Sequence, residues 1–385
     1  MSAPVICAYA RTPFGRYRGA LAGYSATELG TLAVKALLER AAIDATSGIV
    51  DQLYMGQVLQ AGAGQAPARQ VALGAGLPYS TPCTTVNKVC GSSLKAAMIG
   101  ATEIMAGRAD VVIAGGMESM SNAPHFIRGA RRGDEISYGD LSSILSHDGL
   151  KDAYDESMMG VTGETIAREA NISREQSDAF AVRSHTLSNQ AWDQGWFAEE
   201  CLEIDGLSRD EGIRTDTSVE SLAGLRTVFD KEGQVTAGNA SQVSDGGSAL
   251  LIASETAAAA NGWPVLARIV DFVTSGVEPH RVMSAPIPAV KMLLERNELT
   301  IADIDILEHN EAFAAASCAV KKSFDIPDEK FNPHGGAVAM GHPLGATGAR
   351  CLMTLTNALN RTGGHHGIVT ICLGGGNAVG MLIEV

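Results

Sequence analysis

Two stretches of the chain show the same order of hydrophobic and polar positions. Residues 92–106 are rich in Ala, Met and Leu at helical spacing, Gly107 follows, and the apolar run at 111–114 ends in two glycines. This order predicts a helix, and then a short strand buried in a parallel sheet and ended by Gly115 and Gly116.

The same order recurs near the C-terminus. Residues 345–364 predict a helix ended by Gly363 and Gly364, and residues 367–376 predict a buried strand that also ends in glycines. Two copies of helix, buried strand and glycine indicate an internal duplication. The pattern therefore predicts an α/β protein built from two similar halves.

The segment between the two copies has a different character. It is more polar and contains a strong helical pattern at 173–195, where Ser173 is a good N-cap, Gln176 completes a capping box and Gly195 closes the helix. We interpret this segment as an insertion that forms a lid over a site between the halves. The predicted domains are a first half at 1–120 plus 244–269, an inserted loop domain at 121–243, and a second half at 270–385.

Composition narrows the class of protein. The net charge of −14 excludes a broad nucleic-acid-binding face. The basic run with Arg128, Arg131 and Arg132 is interpreted as a solvated loop, with a local anion site as the alternative. The seven cysteines include no CxxC pair, which favours a reducing cytosol over a disulfide framework or a zinc site. We expect a cytoplasmic protein with no leader, no membrane span and no metal.

Cys90 is the first candidate for chemistry. It stands in Val-Cys-Gly-Ser-Ser just before the predicted helix, where backbone N–H groups and the helix dipole favour a thiolate and a lowered pKa. A cysteine among apolar residues is more often an inert core residue. The Gly-Ser-Ser turn beside it favours a nucleophile instead.

Three further residues complete the candidate site. His342 lies between glycine and proline on a loop that opens a helix, a placement that suits a general base. Cys372 ends a buried strand, and the following glycines, Gly374 among them, can offer N–H groups to an oxyanion; a core thiol is the alternative. Asn310 is either a helix N-cap or a group that positions a water or a substrate carbonyl.

Other catalytic motifs do not occur. The chain contains no GxGxxG after a strand, no GxxxxGK[ST], no GxSxG and no HExxH. The glycine-rich strand ends are therefore not predicted to bind nucleotide phosphates in the Rossmann or Walker manner.

These motifs resemble the thiolase family along essentially the whole chain. The matching pieces are VNKVCGSSLKA, GGMESMSNAPH, SREQSDAFAVRSH, TAGNASQVSDGGSA, NEAFA, NPHGGAVAMGHPLGATGAR and CLGGGNAVGMLIEV. The resemblance implies the thiolase fold, in which two similar mixed-sheet α/β halves pack together and the first carries an inserted loop domain. It also implies that no cofactor is bound and that coenzyme A is a co-substrate.

The resemblance assigns roles residue by residue. Cys90 takes the acyl group, and His342 deprotonates that thiol and later the attacking coenzyme A. Cys372 acts as acid and base on the substrate α-carbon. Asn310 holds a water that forms one oxyanion hole with His342, and the N–H groups of Cys90 and Gly374 form the other. Contacts to coenzyme A are implied for Arg226, at its adenosine-phosphate end, and for Ser241, at its pantetheine.

One departure bears on specificity. Acetyl-specific members of the family usually have His-Met-Gly where this chain has Met158, Met159 and Gly160. By contrast, the SHDGLKDAYD stretch resembles an insert of acetyl-specific members. The RGARRGDEIS stretch resembles the family's tetramerisation loop, which implies a homotetramer that is a dimer of dimers.

The resemblance favours one reaction. The expected activity is the reversible condensation of two acetyl-CoA to acetoacetyl-CoA and coenzyme A through a cysteine acyl-enzyme. Two alternatives stay open: a 3-ketoacyl-CoA thiolase that accepts longer chains in fatty-acid breakdown, and a non-catalytic acyl-CoA carrier with the same fold. A decarboxylating ketoacyl synthase is disfavoured, because Cys372 at the strand end suits the thiolase arrangement.

Overall fold

A computed structural model describes residues 2–385. Nine strands follow one another in the main sheet in the order β10-β11-β12-β9-β1-β8-β5-β3-β4, and the short β2 pairs with β8. A separate hairpin is formed by β6 and β7. The strands are β1 (Pro4–Arg11), β2 (Gly15–Arg16), β3 (Gln52–Gly56), β4 (Cys83–Val86), β5 (Val111–Ser119), β6 (His125–Phe126), β7 (Ser142–Ser143), β8 (Ser244–Ser254), β9 (Ala267–Gly276), β10 (Ile306–His309), β11 (His366–Leu373) and β12 (Asn377–Glu384).

Helices cover the sheet and connect its strands. They are α1 (Ala26–Arg40), α2 (Pro67–Gly74), α3 (Ser92–Met105), α4 (Met159–Ala170), α5 (Arg174–Asp193), α6 (Val219–Ala223), α7 (Glu255–Asn261), α8 (Pro286–Arg296), α9 (Ala314–Phe324), α10 (Ala337–Met340) and α11 (Thr347–Thr362). Short 3₁₀ helices occur in several connections, and residues Leu145–Leu150 form a π-helical turn.

The sheet has two parts that meet at β1 and β9. In the first part β3 is parallel to β4 and β5, and β8 is antiparallel to β1 and β5. In the second part β10 is parallel to β11, and β12 is antiparallel to β11 and β9. Two antiparallel pairs, Val5 with Arg268 and Ile6 with Ala267, join the parts. The predicted mixed-sheet α/β architecture is confirmed.

The three largest hydrophobic cores give the molecule its layers. The largest contains α3 and α11 together with inward residues of strands from both parts of the sheet. A second core packs α1 and α2 against the first part, and a third packs α8 and α9 against the second part. Because α3 and α11 both pack in the largest core, the chain segments at their N-termini lie close to each other.

The predicted elements largely agree with the structure. The helix predicted at 92–106 is α3, and α5 starts after the N-cap Ser173, whose capping box with Gln176 is formed. The strand predicted at 111–114 is longer than expected. It continues through Gly115 and Gly116 to Ser119, because β8 pairs with it along this whole length.

The residues between β5 and β8 contribute no strand to the main sheet within the described chain. Residues 120–243 instead hold α4, α5, α6 and the β6–β7 hairpin. The domain boundaries themselves stay a prediction, and the one placed between residues 269 and 270 falls inside β9. Over residues 2–385, no helix has both the length and the apolar character that a membrane crossing needs.

A buried ion cluster ties the insertion to β1. The Arg11 guanidinium donates to Glu200 at 2.9 Å and to Asp210 at 2.7 Å, and all three side chains are buried. The Arg11 backbone N–H also donates to the Glu200 carbonyl at 2.7 Å. Removing the cation leaves two buried carboxylates without their partner, which is costly in a medium of low dielectric.

We predict that Arg11→Met lowers the free energy of unfolding by about 3–5 kcal/mol, measured by urea titration with tryptophan fluorescence. The matched control is Arg16→Met, which removes a surface ion pair to Glu211 in which the arginine side chain is 57% exposed. That change should cost about 0–1 kcal/mol. Equal losses in the two variants would contradict the role of burial.

Candidate active site

A small cavity of about 60 Å³ lies where the two parts of the molecule meet. Cys90, Cys372 and His342 all line it, so the structure brings together two sulfurs and an imidazole from distant parts of the sequence. The other lining residues are Gly149, Leu150, Met159, Ser241, Val282, Met283, Ala312, Phe313, Leu344, Leu373 and Gly374. The wall is predominantly apolar.

Cys90 is presented by a strained turn between β4 and α3. Val89, the residue before it, has φ +46°, which is an outlier for a β-branched side chain. The turn is held by Gly91 N–H donating to Lys88 O at 3.1 Å and by Ser92 N–H donating to Val89 O at 3.1 Å. Backbone strain of this kind persists only where the surrounding structure enforces it.

Cys372 lies near the end of β11, beside a glycine turn that leads into β12. Gly375 and Gly376 have φ +86° and +81°, a region that favours glycine. Gly91 allows α3 to approach this strand, because a Cβ at that position would stand 2.6 Å from Leu373 Cδ2. The close approach places the Cys90 turn against the Cys372 strand.

Two backbone donors face the Cys90 sulfur, its own N–H and that of Gly374, and each lowers the pKa of the thiol. Burial has the larger and opposite effect, and the pKa rises to about 12. The sequence expectation of a lowered pKa is therefore wrong for the resting site. Desolvation of a thiolate in this cavity outweighs the two backbone donors.

His342 is 6% exposed and uses both ring nitrogens. Nδ1 lies 2.7 Å from Thr347 Oγ1, and Nε2 lies 3.4 Å from Asn310 Nδ2. The His342 backbone N–H donates to Gln242 O at 2.9 Å. Burial, with a smaller contribution from the Arg350 charge, lowers the His342 pKa to about 3, so the ring is neutral at pH 7.

Asn310 follows β10 and is fully buried. Helix α9 begins at Ala314 with Phe313 as its N-cap, so the interpretation of Asn310 as an N-cap is wrong. Its Nδ2 faces the imidazole, and its Oδ1 has no hydrogen-bond partner in the described chain. A buried amide with a free acceptor beside a base is suited to holding a polar group of a substrate or a water.

Cys372 is more deeply buried than Cys90, with 2% of its surface exposed. Burial raises its thiol pKa, and a charge on the neighbouring Cys90 raises it further. Its Sγ lies 3.7 Å from Met283 Sδ. The coupling between the two thiols means that both cannot readily be thiolates at once.

An adjoining cavity of about 130 Å³ shares Met159, Ser241 and His342 with the first. Met158 also lines it, so the residue that departs from the acetyl-specific pattern stands beside the approach to the site. Ser241 is fixed by its N–H donating to Ala312 O at 3.0 Å. Arg226 follows α6, is exposed, and has no hydrogen bond or ion pair within residues 2–385.

Sequence reasoning missed two buried residues beside the site. Thr347 contacts the imidazole of His342 but has no spacing signature that would single it out. Glu118 is fully buried and accepts from the N–H groups of Val58, Leu59 and Gly345 at 3.0, 3.0 and 2.8 Å. Glu118 thus connects β5 to the loop that contains His342. In the sequence, only the GGMES motif, which includes Glu118, indicates this residue.

These side chains on an α/β scaffold define a site for covalent chemistry on a thiol, with an adjacent base and backbone donors. Comparisons with known proteins agree. The model for "Thiolase, N-terminal domain" matches residues 4–256, and that for "Thiolase, C-terminal domain" matches residues 263–385. The chain belongs to the thiolase family.

Similar proteins span the full length of the chain. A probable acetyl-CoA acetyltransferase of Escherichia coli K12 is 45% identical over 388 residues, which cover 99% of this chain and 98% of that protein. An acetyl-CoA acetyltransferase of Shinella zoogloeoides is 44% identical over 395 residues, all of both chains. The crystal structure of the Bacillus anthracis acetyl-CoA acetyltransferase has a TM-score of 0.95 at 37% identity and covers 100% of this chain and 99% of its own. The predicted thiolase fold is confirmed.

Burial of Glu118 predicts a pH-dependent stability. Burial raises the Glu118 pKa from 4.5 to about 7 against the opposing effect of its three N–H donors. Between these values the unfolded chain loses the proton while the folded chain keeps it, so this contribution to stability falls as pH rises and is lost above about 7.

We predict that the free energy of unfolding of the wild type falls between pH 4.5 and 7 relative to that of Glu118→Gln, measured by urea titration at several pH values. Glu39→Gln, on the exposed side of α1, is the control and should follow the wild type. Parallel curves of unfolding free energy against pH for the wild type and Glu118→Gln would contradict the prediction.

Proposed function

We propose that this chain catalyses the reversible condensation of two acetyl-CoA to acetoacetyl-CoA and coenzyme A through an acyl-enzyme on Cys90. One observation carries the proposal: Cys90, Cys372 and His342 line a single cavity. The family membership and the names of the full-length relatives support the same activity.

In the first half-reaction the Cys90 sulfur attacks the thioester carbonyl of acetyl-CoA. Its proton passes to the Nε2 of His342, the nitrogen that faces Asn310. Collapse of the tetrahedral intermediate breaks the bond to the coenzyme A sulfur, and that leaving group takes the proton from His342. A neutral imidazole is the required starting form of the base, and the low His342 pKa provides it.

In the second half-reaction neutral His342 takes the proton of Cys372, and the Cys372 thiolate removes an α-proton from a second acetyl-CoA. The resulting enolate attacks the acetyl carbonyl on Cys90, and the departing Cys90 thiolate takes the proton from His342. Since burial raises the Cys372 pKa, its thiolate is a strong base once formed. In thiolysis the same steps run backwards, and Cys372 returns the proton to carbon.

Each half-reaction creates negative charge on a thioester oxygen. For the acyl group on Cys90, the N–H groups of Cys90 and Gly374 are the proposed donors, because both already face the Cys90 sulfur. For the second thioester, the proposed donors are the Nε2–H of His342, which carries the proton taken from Cys372 at that stage, and a water held by the Asn310 amide. Two separate sites allow two thioesters to be polarised in one cavity.

Coenzyme A is the proposed co-substrate, and no resident cofactor takes part in these steps. Ser241, which lines both cavities, is placed to contact the pantetheine arm. Arg226 is the proposed partner of the phosphates at the adenosine end, and its exposure suits a contact to a dianion in solvent.

We also propose a cytoplasmic homotetramer. All seven cysteines are free thiols, as expected in a reducing compartment. The loop at 127–138 exposes large apolar side chains, with Ile136 53% and Tyr138 85% exposed, and these are suited to contacts between subunits.

Cys90→Ala should abolish thiolysis of acetoacetyl-CoA and also the acetyl adduct that intact-mass measurement detects after incubation with acetyl-CoA. Cys318→Ala, a partly exposed cysteine away from the cavity, should retain both. A non-catalytic carrier would show no adduct in the wild type, and Cys90→Ala would then leave ligand binding unchanged.

The 60 Å³ cavity predicts a preference for short acyl groups. We expect kcat/KM for acetoacetyl-CoA to exceed that for 3-ketooctanoyl-CoA by at least about tenfold, since each poorly placed methylene costs about 1–3 kcal/mol. Met159→Ala, which enlarges the cavity, should reduce the ratio of kcat/KM for acetoacetyl-CoA to that for 3-ketooctanoyl-CoA. Met105→Ala, on the exposed side of α3, should leave this ratio unchanged. Equal or greater activity on the longer substrate would favour a 3-ketoacyl-CoA thiolase.

A further inference from the structure

The imidazole of His342 makes a second hydrogen bond that the reaction steps above do not use. Its Nδ1 lies 2.7 Å from the Oγ1 of Thr347, a fully buried residue in the first turn of α11. The same hydroxyl oxygen lies 2.9 Å from the carbonyl oxygen of Pro343. Thr347 therefore stands between a ring nitrogen and a carbonyl.

The position of the hydroxyl proton follows from these two contacts. A carbonyl oxygen can only accept, so the contact between Thr347 Oγ1 and Pro343 O is favourable only when the hydroxyl donates to it. The hydroxyl has a single proton, and its oxygen must then accept from the Nδ1–H of His342. In the opposite arrangement two oxygens would face each other at 2.9 Å with no proton between them.

The contact at the other ring nitrogen, Nε2, is consistent with an Nδ1–H that donates to Thr347 Oγ1. With the proton on Nδ1, the neutral ring has its lone pair on Nε2, which can accept from the Asn310 amide at 3.4 Å. The tautomer of a neutral histidine is set by the hydrogen bond that its other nitrogen makes. Without Thr347, nothing in the imidazole itself would keep the lone pair on Nε2.

We propose that Thr347 is a positioning residue that holds neutral His342 with its proton on Nδ1 and its lone pair on Nε2, so that the ring can accept the proton of Cys90. The proposal rests on the function proposed above. Thr347 touches neither thiol in this scheme, and it acts through His342 alone.

The start of α11 is held rigidly enough for this task. Ser248 Oγ donates to Ala346 O at 2.7 Å, and Ala349 N–H donates to Ser93 Oγ at 2.9 Å. These bonds come from β8 and α3, and they do not depend on the Thr347 hydroxyl. A substitution that keeps the shape of Thr347 should therefore leave the helix in place.

The test compares Thr347→Val, which keeps the shape but removes the hydroxyl, with Thr347→Ser, which restores it. We expect Thr347→Val to lower kcat for thiolysis of acetoacetyl-CoA by about 10²-fold, within the range for general-base catalysis, with KM changed less than threefold. Thr347→Ser should return kcat to within about threefold of the wild type. A purely structural role would not give this split between kcat and KM or this rescue.

Thr356→Val is the matched control. Thr356 is also buried in α11, and its hydroxyl donates to the carbonyl four residues earlier, Leu352 O, at 2.9 Å, as that of Thr347 does to Pro343. Its hydroxyl forms no hydrogen bond with a histidine in the described chain. We expect Thr356→Val to keep the wild-type kcat, and an equal loss in both valine variants would overturn the proposal.

A second measurement reads the tautomer without reference to activity. In protein labelled with ¹⁵N-histidine, the His342 signals, assigned by their loss in His342→Asn, should show a protonated Nδ1 and an unprotonated Nε2. A proton on Nε2 in the wild type would overturn the proposal even if Thr347→Val failed to fold. If the wild type did not cleave acetoacetyl-CoA, the proposed function would fail while the NMR result still decided the tautomer.

Discussion

The burial of the reactive side chains around one cavity is the constraint on which the rest of this site depends. In a medium of low dielectric each charge is expensive, so burial raises the pKa of both thiols and lowers that of His342 to about 3. The resting site is therefore uncharged. Charge appears only when a substrate supplies an oxygen for it to develop on, next to donors that are already in position.

The fold creates this cavity by packing its two parts around shared helices. Cys90 comes from the first part, and His342, Asn310 and Cys372 come from the second, so no part has the site alone. Gly91 favours the contact between the Cys90 turn and β11, since a Cβ there would stand 2.6 Å from Leu373 Cδ2 and that side chain would have to move. The packing of the two parts also explains the strained φ of Val89. The surrounding strands and helices enforce a backbone conformation that a β-branched residue does not favour on its own.

Much of the architecture follows from local pattern. Helices α3, α5 and α11 are marked by apolar spacing, by the capping box of Ser173 and by terminal glycines, so their positions could be predicted. The continuation of β5 past Gly115 could not, because pairing with β8 decides it. Glycine ends a strand only where no partner holds the chain extended.

In the candidate site, too, local sequence predicts some features and long-range packing determines others. Reactive residues beside glycines at element ends pointed to Cys90, His342 and Cys372, and the structure places all three in one cavity. The sign of the Cys90 pKa shift could not be predicted, because desolvation depends on how residues from remote segments enclose the sulfur. Thr347 was missed for a related reason, since a hydroxyl five residues from a histidine gains meaning only when the start of α11 turns it toward the ring.

The central claim is that the resting Cys90 and His342 form a neutral thiol and imidazole and not an ion pair. The most direct measurement is the rate of iodoacetamide alkylation at Cys90, followed by peptide mass against pH in the free enzyme. We predict a rate that continues to rise above pH 9, as expected for a thiol whose pKa is raised toward about 12. A rate that levels off below pH 7 would show a preformed thiolate and would contradict it.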